Sequence, residues 1–259
     1  MESEISISDV GEAVRVTRFG PAPSVIVVCE HAANQIPDTL DNLGLDAAAR
    51  RSHIAWDPGA LGVATQLARD TGAILVEGTV SRLVYDCNRP PDAPSAIPAR
   101  SEQYDIPGNI GLSPAARAAR VAAVYDPFRH TLAAQIAEHR ASLTLMVTVH
   151  SFTPVFGGTT RAVELGVLHG VDDRFAKAMM ASVPPGIGHE TRLNEPYSAA
   201  DGVAHTLDLH GAPNGLLNVM IEIRNDLVPD QARQHAMATT LGAWIDQTRA
   251  ALRRTEAAG

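Results

Sequence analysis

Three largely apolar runs, far apart in the chain, each break off into polar residues. Val25-Ile26-Val27-Val28-Cys29 stops at Glu30-His31, Leu143 to Val149 stops at His150-Ser151, and Leu216 to Ile221 stops at Glu222-Ile223-Arg224. Runs of this length without polar alternation fit strands buried on both faces, as parallel strands covered by helices are. Ligands of open α/β sheets bind at the carboxyl ends of such strands. If the three lie side by side, two imidazoles and a carboxylate meet above one sheet edge.

Helical patterns fill the gaps between the runs. One helix is predicted from about Gly59 to Asp70, stopped by Gly72. Ser113-Pro114 opens a long one, serine as N-cap and proline at the first position. Val121, Val124, Tyr125, Phe128, Leu132 and Ile136 share its apolar face, and Pro127 should kink it. A further helix is expected around Asp173 to Ala181, and a closing one from about Pro229 to Arg253. Ala73 to Val76, Arg82 to Tyr85 and Val163 to Leu168 read as additional strands. Pro90 to Gly111, with five prolines, reads as a long loop without regular structure. Strands alternating with helices predict a three-layer α/β/α fold around a mostly parallel mixed sheet. One domain over 1–259 is expected, with its core at about 24–254 and residues 1–23 as a lead-in.

A net charge of −8 and a pI near 5.6 disfavour nucleic acid and anionic membrane surfaces as partners, because both call for a basic face. A small ligand bearing a carboxylate remains compatible, since a few arginines suffice to hold it. Cys29 and Cys87 fall in or just after apolar runs and match no metal or pairing spacing, so buried free thiols are expected. Met1 to Gly11 lacks the basic start and apolar block of a secretory signal, and no run is long enough to span a bilayer. A cytoplasmic protein is expected.

The chain has no Gly-x-Ser-x-Gly elbow, no Walker A loop, no dinucleotide glycine fingerprint and no His-Glu-x-x-His pair. What remains suits metal-assisted hydrolysis. Zinc sites of this kind take three protein ligands and leave a position for water. His31 and His150 are the candidate nitrogens, although a strand-end histidine can equally be a packing residue. For the third ligand Asp57, in the Asp57-Pro58-Gly59 turn, comes first; its other reading is an N-cap for the helix that follows. Glu30 should face away on a regular strand, and Asn34 offers an amide, a poor zinc ligand. Glu222 ends an apolar strand where burial would raise its pKa toward that of a general base. Its other reading is a salt bridge to Arg224. Arg82, Asn88 and Arg89 suit the grip of a carboxylate, and Ser151 and Arg224 join them as candidate substrate-binding residues. His53, His130, His139 and His235 are assigned to surface or packing roles, while His169, His189, His205 and His210 lie on segments that could border the pocket.

Six pieces in this order, Cys29-Glu30-His31-Ala32-Ala33-Asn34, Ala55 to Ala60, Ser81 to Pro90, His150 to Pro154, Asn194-Glu195-Pro196-Tyr197 and Ile221 to Leu227, resemble the N-formylglutamate amidohydrolase family. The resemblance implies a phosphorylase/hydrolase-like fold related to zinc carboxypeptidases, and hydrolysis of a formyl amide on an amino acid. By similarity His31 and His150 would hold zinc, Glu222 would be the base, Asn88 and Arg89 would bind the substrate carboxylate, and Arg82 would face the oxyanion. Asn34 stands where the wider group has a glutamate, so the third ligand stays open among Asp57, Asn34 and Glu30. The first piece also differs from the Pro-His-Ser/Ala-Gly motif of the dedicated deformylases and looks like a sister branch. Another N-acyl or peptidyl substrate, or a carboxylate-binding protein without metal, are the alternatives.

Overall fold

A seven-stranded sheet runs through the middle of the structure, a computed structural model that describes residues 6–258. Its strands are β1 (Val14–Arg18), β2 (Val25–Cys29), β3 (Ile74–Gly78), β4 (Leu145–Phe152), β5 (Leu165–Leu168), β6 (Thr191–Leu193) and β7 (Leu217–Arg224). They lie in the order β1-β3-β2-β4-β7-β5-β6. β2, β3, β4 and β7 are parallel to one another. β1 and β5 run antiparallel to their neighbours β3 and β7, and β6 runs parallel to β5. The mixed, mostly parallel α/β architecture is the one the apolar runs predict.

Helices cover both faces because both faces of the central strands are apolar. All five residues of β2 are buried. Alternation sends Val25, Val27 and Cys29 to one face, where α1 (Ala60–Thr71) and the closing helix lie, and Ile26 and Val28 to the other. Each fully buried aliphatic side chain contributes about 1.5–3 kcal/mol, so a slip of one residue would be opposed on both faces. α2 (Pro114–Arg120), capped by the Ser113 side chain, and α3 (Asp126–Glu138) are joined by a π-helical turn at Val121–Tyr125. Pro127 has no N–H and its ring crowds the carbonyl four residues back, and the widened turn just ahead of it absorbs both effects. Phe128, Leu132 and Ile136 are buried as predicted, and Val121 is half-buried. α4 (Arg174–Ala181) and α5 (Gln231–Ala258) complete the layers. Trp244 of α5 is fully buried, and its indole N–H donates to the Met179 carbonyl at 3.0 Å.

Three expectations are corrected. The lead-in contributes β1, an edge strand of the main sheet; its residues 1–5 lie outside the described residues, as does Gly259 at the other end. Pro90 to Gly111 is not wholly irregular, since Arg100–Ser101 and Tyr104–Asp105 pair as a small hairpin. Arg82 to Tyr85 is not a strand: β1 already occupies the outer edge of β3, and this apolar segment is buried as a run of turns. Side chains satisfy its carbonyls in place of a neighbouring strand, Asn109 at Leu83 and Arg120 at Val84. No described helix is long and apolar enough to cross a membrane.

Candidate metal centre and active site

The parallel pairing of β4 with β7 sets His150 directly beside Glu222. β2 lies on the other side of β4, and the chain leaving it carries Glu30 and His31 to the same rim. The third contribution comes from the turn before α1. Gly59 adopts φ 83°, and a Cβ there would lie 2.5 Å from the Val228 carbonyl oxygen, so the turn requires glycine. The Asp57 N–H donates to the His31 carbonyl at 2.9 Å, and the Ser151 hydroxyl donates to the Pro58 carbonyl at 2.8 Å. The turn is thereby fastened to both histidine-bearing segments.

Three ligand atoms converge. His31 Nδ1 and His150 Nδ1 are 3.2 Å apart, and Asp57 Oδ2 lies 3.2 Å from the first and 2.9 Å from the second. All three residues are buried. Ligands about 2.0–2.1 Å from a tetrahedral zinc stand about 3.3 Å from one another, close to this triangle. The far nitrogen of each ring faces a carboxylate: His31 Nε2 donates to Asp86 Oδ1 at 2.7 Å, and His150 Nε2 lies 3.2 Å from Glu30 Oε2. The bond from His31 to Asp86 is of the kind that fixes the ring orientation of a metal-ligating histidine, whereas His150 and Glu30 face each other as an ion pair without hydrogen-bond alignment. The residues present fit a divalent ion.

Charge balance supports the same reading. Burial disfavours ionisation of Asp57, but the His31 charge and hydrogen bonds from both imidazoles outweigh it and hold the carboxyl far below its usual range. Asp86 is also held well below, burial being overcome by Arg82 and His31. Burial and Arg82 oppose a proton on His31, yet Asp86 and Asp57 raise its pKa; burial of His150 is overcome by Glu30 and Asp57. Glu222 behaves in the opposite way. Burial dominates, Asp57 adds repulsion, and its pKa is pushed up to about 7. Its Oε2 is buried and makes no hydrogen bond among the described residues.

The site opens into a cavity of about 930 Å³ lined by His31, Asp57, His150, Glu222, Arg82, Arg89 and Ser151, among others. Arg82 reaches Asp57 Oδ1 at 3.3 Å and Asp86 Oδ2 at 2.6 Å, bracing both carboxylates while its side chain stays 28 % exposed. Arg89 donates to the Asn88 carbonyl at 2.8 Å.

Several sequence readings change here. Asp57 does not cap α1 with its side chain, because the carboxylate is turned to the imidazoles. Glu30 does not face away, since the chain leaves extended geometry after Cys29 and brings its carboxylate to His150. Asn34 is directed elsewhere, its amide donating to the Arg50 carbonyl at 2.9 Å. Asn88 borders the cavity, but its amide is engaged by the Val203 carbonyl and the Thr206 N–H. Arg224 is absent from the cavity wall and does not bond to Glu222; it pairs with Glu164 at 3.0 Å and Asp226 at 2.8 Å. His53 lines the cavity, whereas His169, His189, His205 and His210 do not. Sequence reasoning gave no role to Asp86, Arg161 or Tyr197. For Asp86 and Tyr197 the signal available was their place inside pieces shared with the family.

Comparison with known proteins gives the family and the fold. The family model for N-formylglutamate amidohydrolase matches residues 23–228. The chain belongs to the N-formylglutamate amidohydrolase family. A gene product of Agrobacterium tumefaciens of known crystal structure is 48% identical, with 94% of this chain and 97% of that one covered at a TM-score of 0.91. The crystal structure of N-formylglutamate amidohydrolase from Ralstonia eutropha JMP134 superposes with a TM-score of 0.61 at 15% identity, covering 94% of this chain and 99% of that one, and so shares the fold. No curated protein matches the sequence.

Proposed function

We propose that the protein is a metal-dependent amidohydrolase that cleaves the formyl amide of N-formyl-L-glutamate, or of a similar N-acyl amino acid, to formate and the free amino acid. The observation that carries this reading is the triangle of His31 Nδ1, Asp57 Oδ2 and His150 Nδ1 beside the unpaired carboxyl of Glu222. His31, Asp57 and His150 would hold the ion. Zinc suits this donor set and, when bound, would supply Lewis acidity toward the amide oxygen and acidify water at the site.

The chain's own residues do the rest. Glu222, with a pKa of about 7, is ionised often enough near neutrality to accept a proton from the attacking water. The water oxygen bonds to the formyl carbon, the carbon–nitrogen bond breaks, and Glu222 returns the proton to the departing nitrogen. Arg82 keeps its positive charge between two carboxylates and faces the cavity, where it can stabilise the oxyanion that exists only on the way to product. Arg89 orients the substrate through its carboxylate, with Ser151 supporting the Asp57 turn.

The cavity volume favours a second reading. A space of about 930 Å³ lies near the upper end of the roughly 300–1,000 Å³ that hold drug-sized ligands, which suits an acyl or peptidyl group larger than formyl. The reading includes a cytoplasmic setting, consistent with two free, buried thiols, and neither nucleic acid nor a membrane as partner. Metal analysis of protein purified without chelators, with formate release from N-formyl-L-glutamate and product release from acetyl and peptidyl analogues, tests it. About one equivalent of zinc with fastest turnover of the formyl substrate is expected. Less than half an equivalent and no turnover would instead favour a carboxylate-binding protein.

A further inference from the structure

Arg89 and Arg161 are the two cavity-lining arginines that pair with no carboxylate among the described residues; Arg82 is held by Asp57 and Asp86, and Arg100 by Asp105. Arg161 is placed with unusual care for an idle surface residue. It follows the hairpin Val155–Phe156/Thr159–Thr160, whose Gly157-Gly158 turn takes φ 55° and 80°. The hairpin returns the chain toward β4, and the Arg161 N–H donates to the Pro154 carbonyl at 2.8 Å. The guanidinium carbon then lies 4.6 Å from the ring centre of Phe156, 4.9 Å from Tyr197 and 5.4 Å from Phe152.

Aromatic neighbours hold a guanidinium through its charge and plane and leave most of its N–H edge available. Of the five N–H donors, Nη1 is engaged by the Thr153 carbonyl at 3.3 Å and one N–H approaches the Tyr197 hydroxyl, which leaves donors for a ligand. A half-buried cation on a cavity wall, oriented by three rings and lacking an acid of its own, is complementary to an anion that arrives with the ligand. Tyr197 connects this wall to the reacting centre: burial and the nearby Glu222 charge raise its phenol pKa, while Arg161 and Arg82 oppose that rise. Arg161, Tyr197 and Glu222 line the same cavity.

We infer that Arg161 is a specificity-determining residue that receives a second carboxylate of the substrate, so that the site selects N-acylated acidic amino acids over their neutral counterparts. The inference rests on the amidohydrolase reading above and adds to it the group that discriminates between substrates. Arg89 takes the carboxylate adjoining the scissile amide, and Arg161 the one at the end of the side chain. The planar fork matters as well as the charge, because bidentate pairing fixes direction in a way an ammonium does not.

The test compares kcat/KM for N-formyl-L-glutamate and N-formyl-L-glutamine, which differ in one carboxylate, in the wild-type metal-loaded enzyme, Arg161→Gln and Arg161→Lys. Wild type should prefer the glutamate substrate by about 10- to 100-fold, the value of one or two charge-assisted hydrogen bonds. Arg161→Gln should bring that ratio close to one, mainly through KM for the acidic substrate, and Arg161→Lys should fall between. An unchanged ratio in Arg161→Gln, or equal losses on both substrates, would overturn the assignment. Binding of glutarate against butyrate, measured by calorimetry, separates this inference from the activity. Arg161-dependent preference for glutarate in a protein that releases no formate would refute the amidohydrolase reading and keep the second anion site. Formate release with a glutarate preference indifferent to Arg161 would do the reverse.

Discussion

The Nδ1 atoms of His31 and His150 stand 3.2 Å apart, with Asp57 Oδ2 within 3.2 Å of both. Two imidazole lone pairs approach so closely only when a proton or a metal cation lies between them, and a buried site with an ionised aspartate prefers a positive occupant of either kind.

Zinc should therefore stabilise the fold. At a free concentration a hundred times Kd the gain is about 2.7 kcal/mol, read as a rise in Tm that a chelator reverses. Asp57→Asn should lose metal far more readily than Asn34→Ala, whose amide serves the Arg50 carbonyl. Calorimetric titration of both variants decides this, and the opposite order would remove Asp57 from the ligand set.

Glu222→Gln should reduce kcat by about 100- to 10,000-fold while metal content stays at the wild-type level. The carboxyl lies beside His150 on the neighbouring strand and supplies no atom to the ligand triangle. Wild-type turnover in that variant would dismiss Glu222 as the base.

The same carboxyl leaves a mark on stability. Its pKa rises from 4.5 to about 7 on folding, so between those values the native state holds a proton that the unfolded state has released. The contribution is complete below pH 4.5 and is lost as pH rises to about 7, in total on the order of 3 kcal/mol. Denaturant unfolding of the metal-free protein and of Glu222→Gln across this range should show the variant gaining on wild type by that amount. Parallel curves would contradict the buried, protonated state.

Asp86→Asn should weaken metal binding by about 10- to 100-fold, because the Asp86 carboxylate accepts from His31 Nε2 at 2.7 Å and so orients that ring from behind. The hydrolytic step at saturating zinc should suffer less than the affinity does. Competition with a metallochromic indicator measures the first, and formate release at high zinc measures the second.

Much of the fold was legible in advance. Val25 to Cys29 and the core of Leu143 to Val149 announce doubly buried strands because nothing in them tolerates water on either side, and Ser113-Pro114 and Gly72 mark helix ends by their own conformational limits. Arg82 to Tyr85 misled because an apolar run reports burial rather than pairing. Its carbonyls are satisfied by Asn109 and Arg120, side chains whose reach is invisible from local pattern. The lead-in hid β1 for a related reason: an edge strand needs little apolar periodicity when its hydrogen bonds come from β3.

At the site, residue chemistry and position at strand ends determined that His31, His150 and Glu222 could act together, since parallel buried strands deliver their carboxyl ends to one rim. Only the tertiary structure decided that Asp57 completes the triangle, that Glu30 turns inward, and that Asn88 and Arg224 are engaged elsewhere. Those outcomes depend on turn geometry and on competing partners from distant segments, such as Glu164 for Arg224 and the backbone at Val203 and Thr206 for Asn88. Local sequence sets what a side chain can bond; the packed chain sets which partner reaches it first.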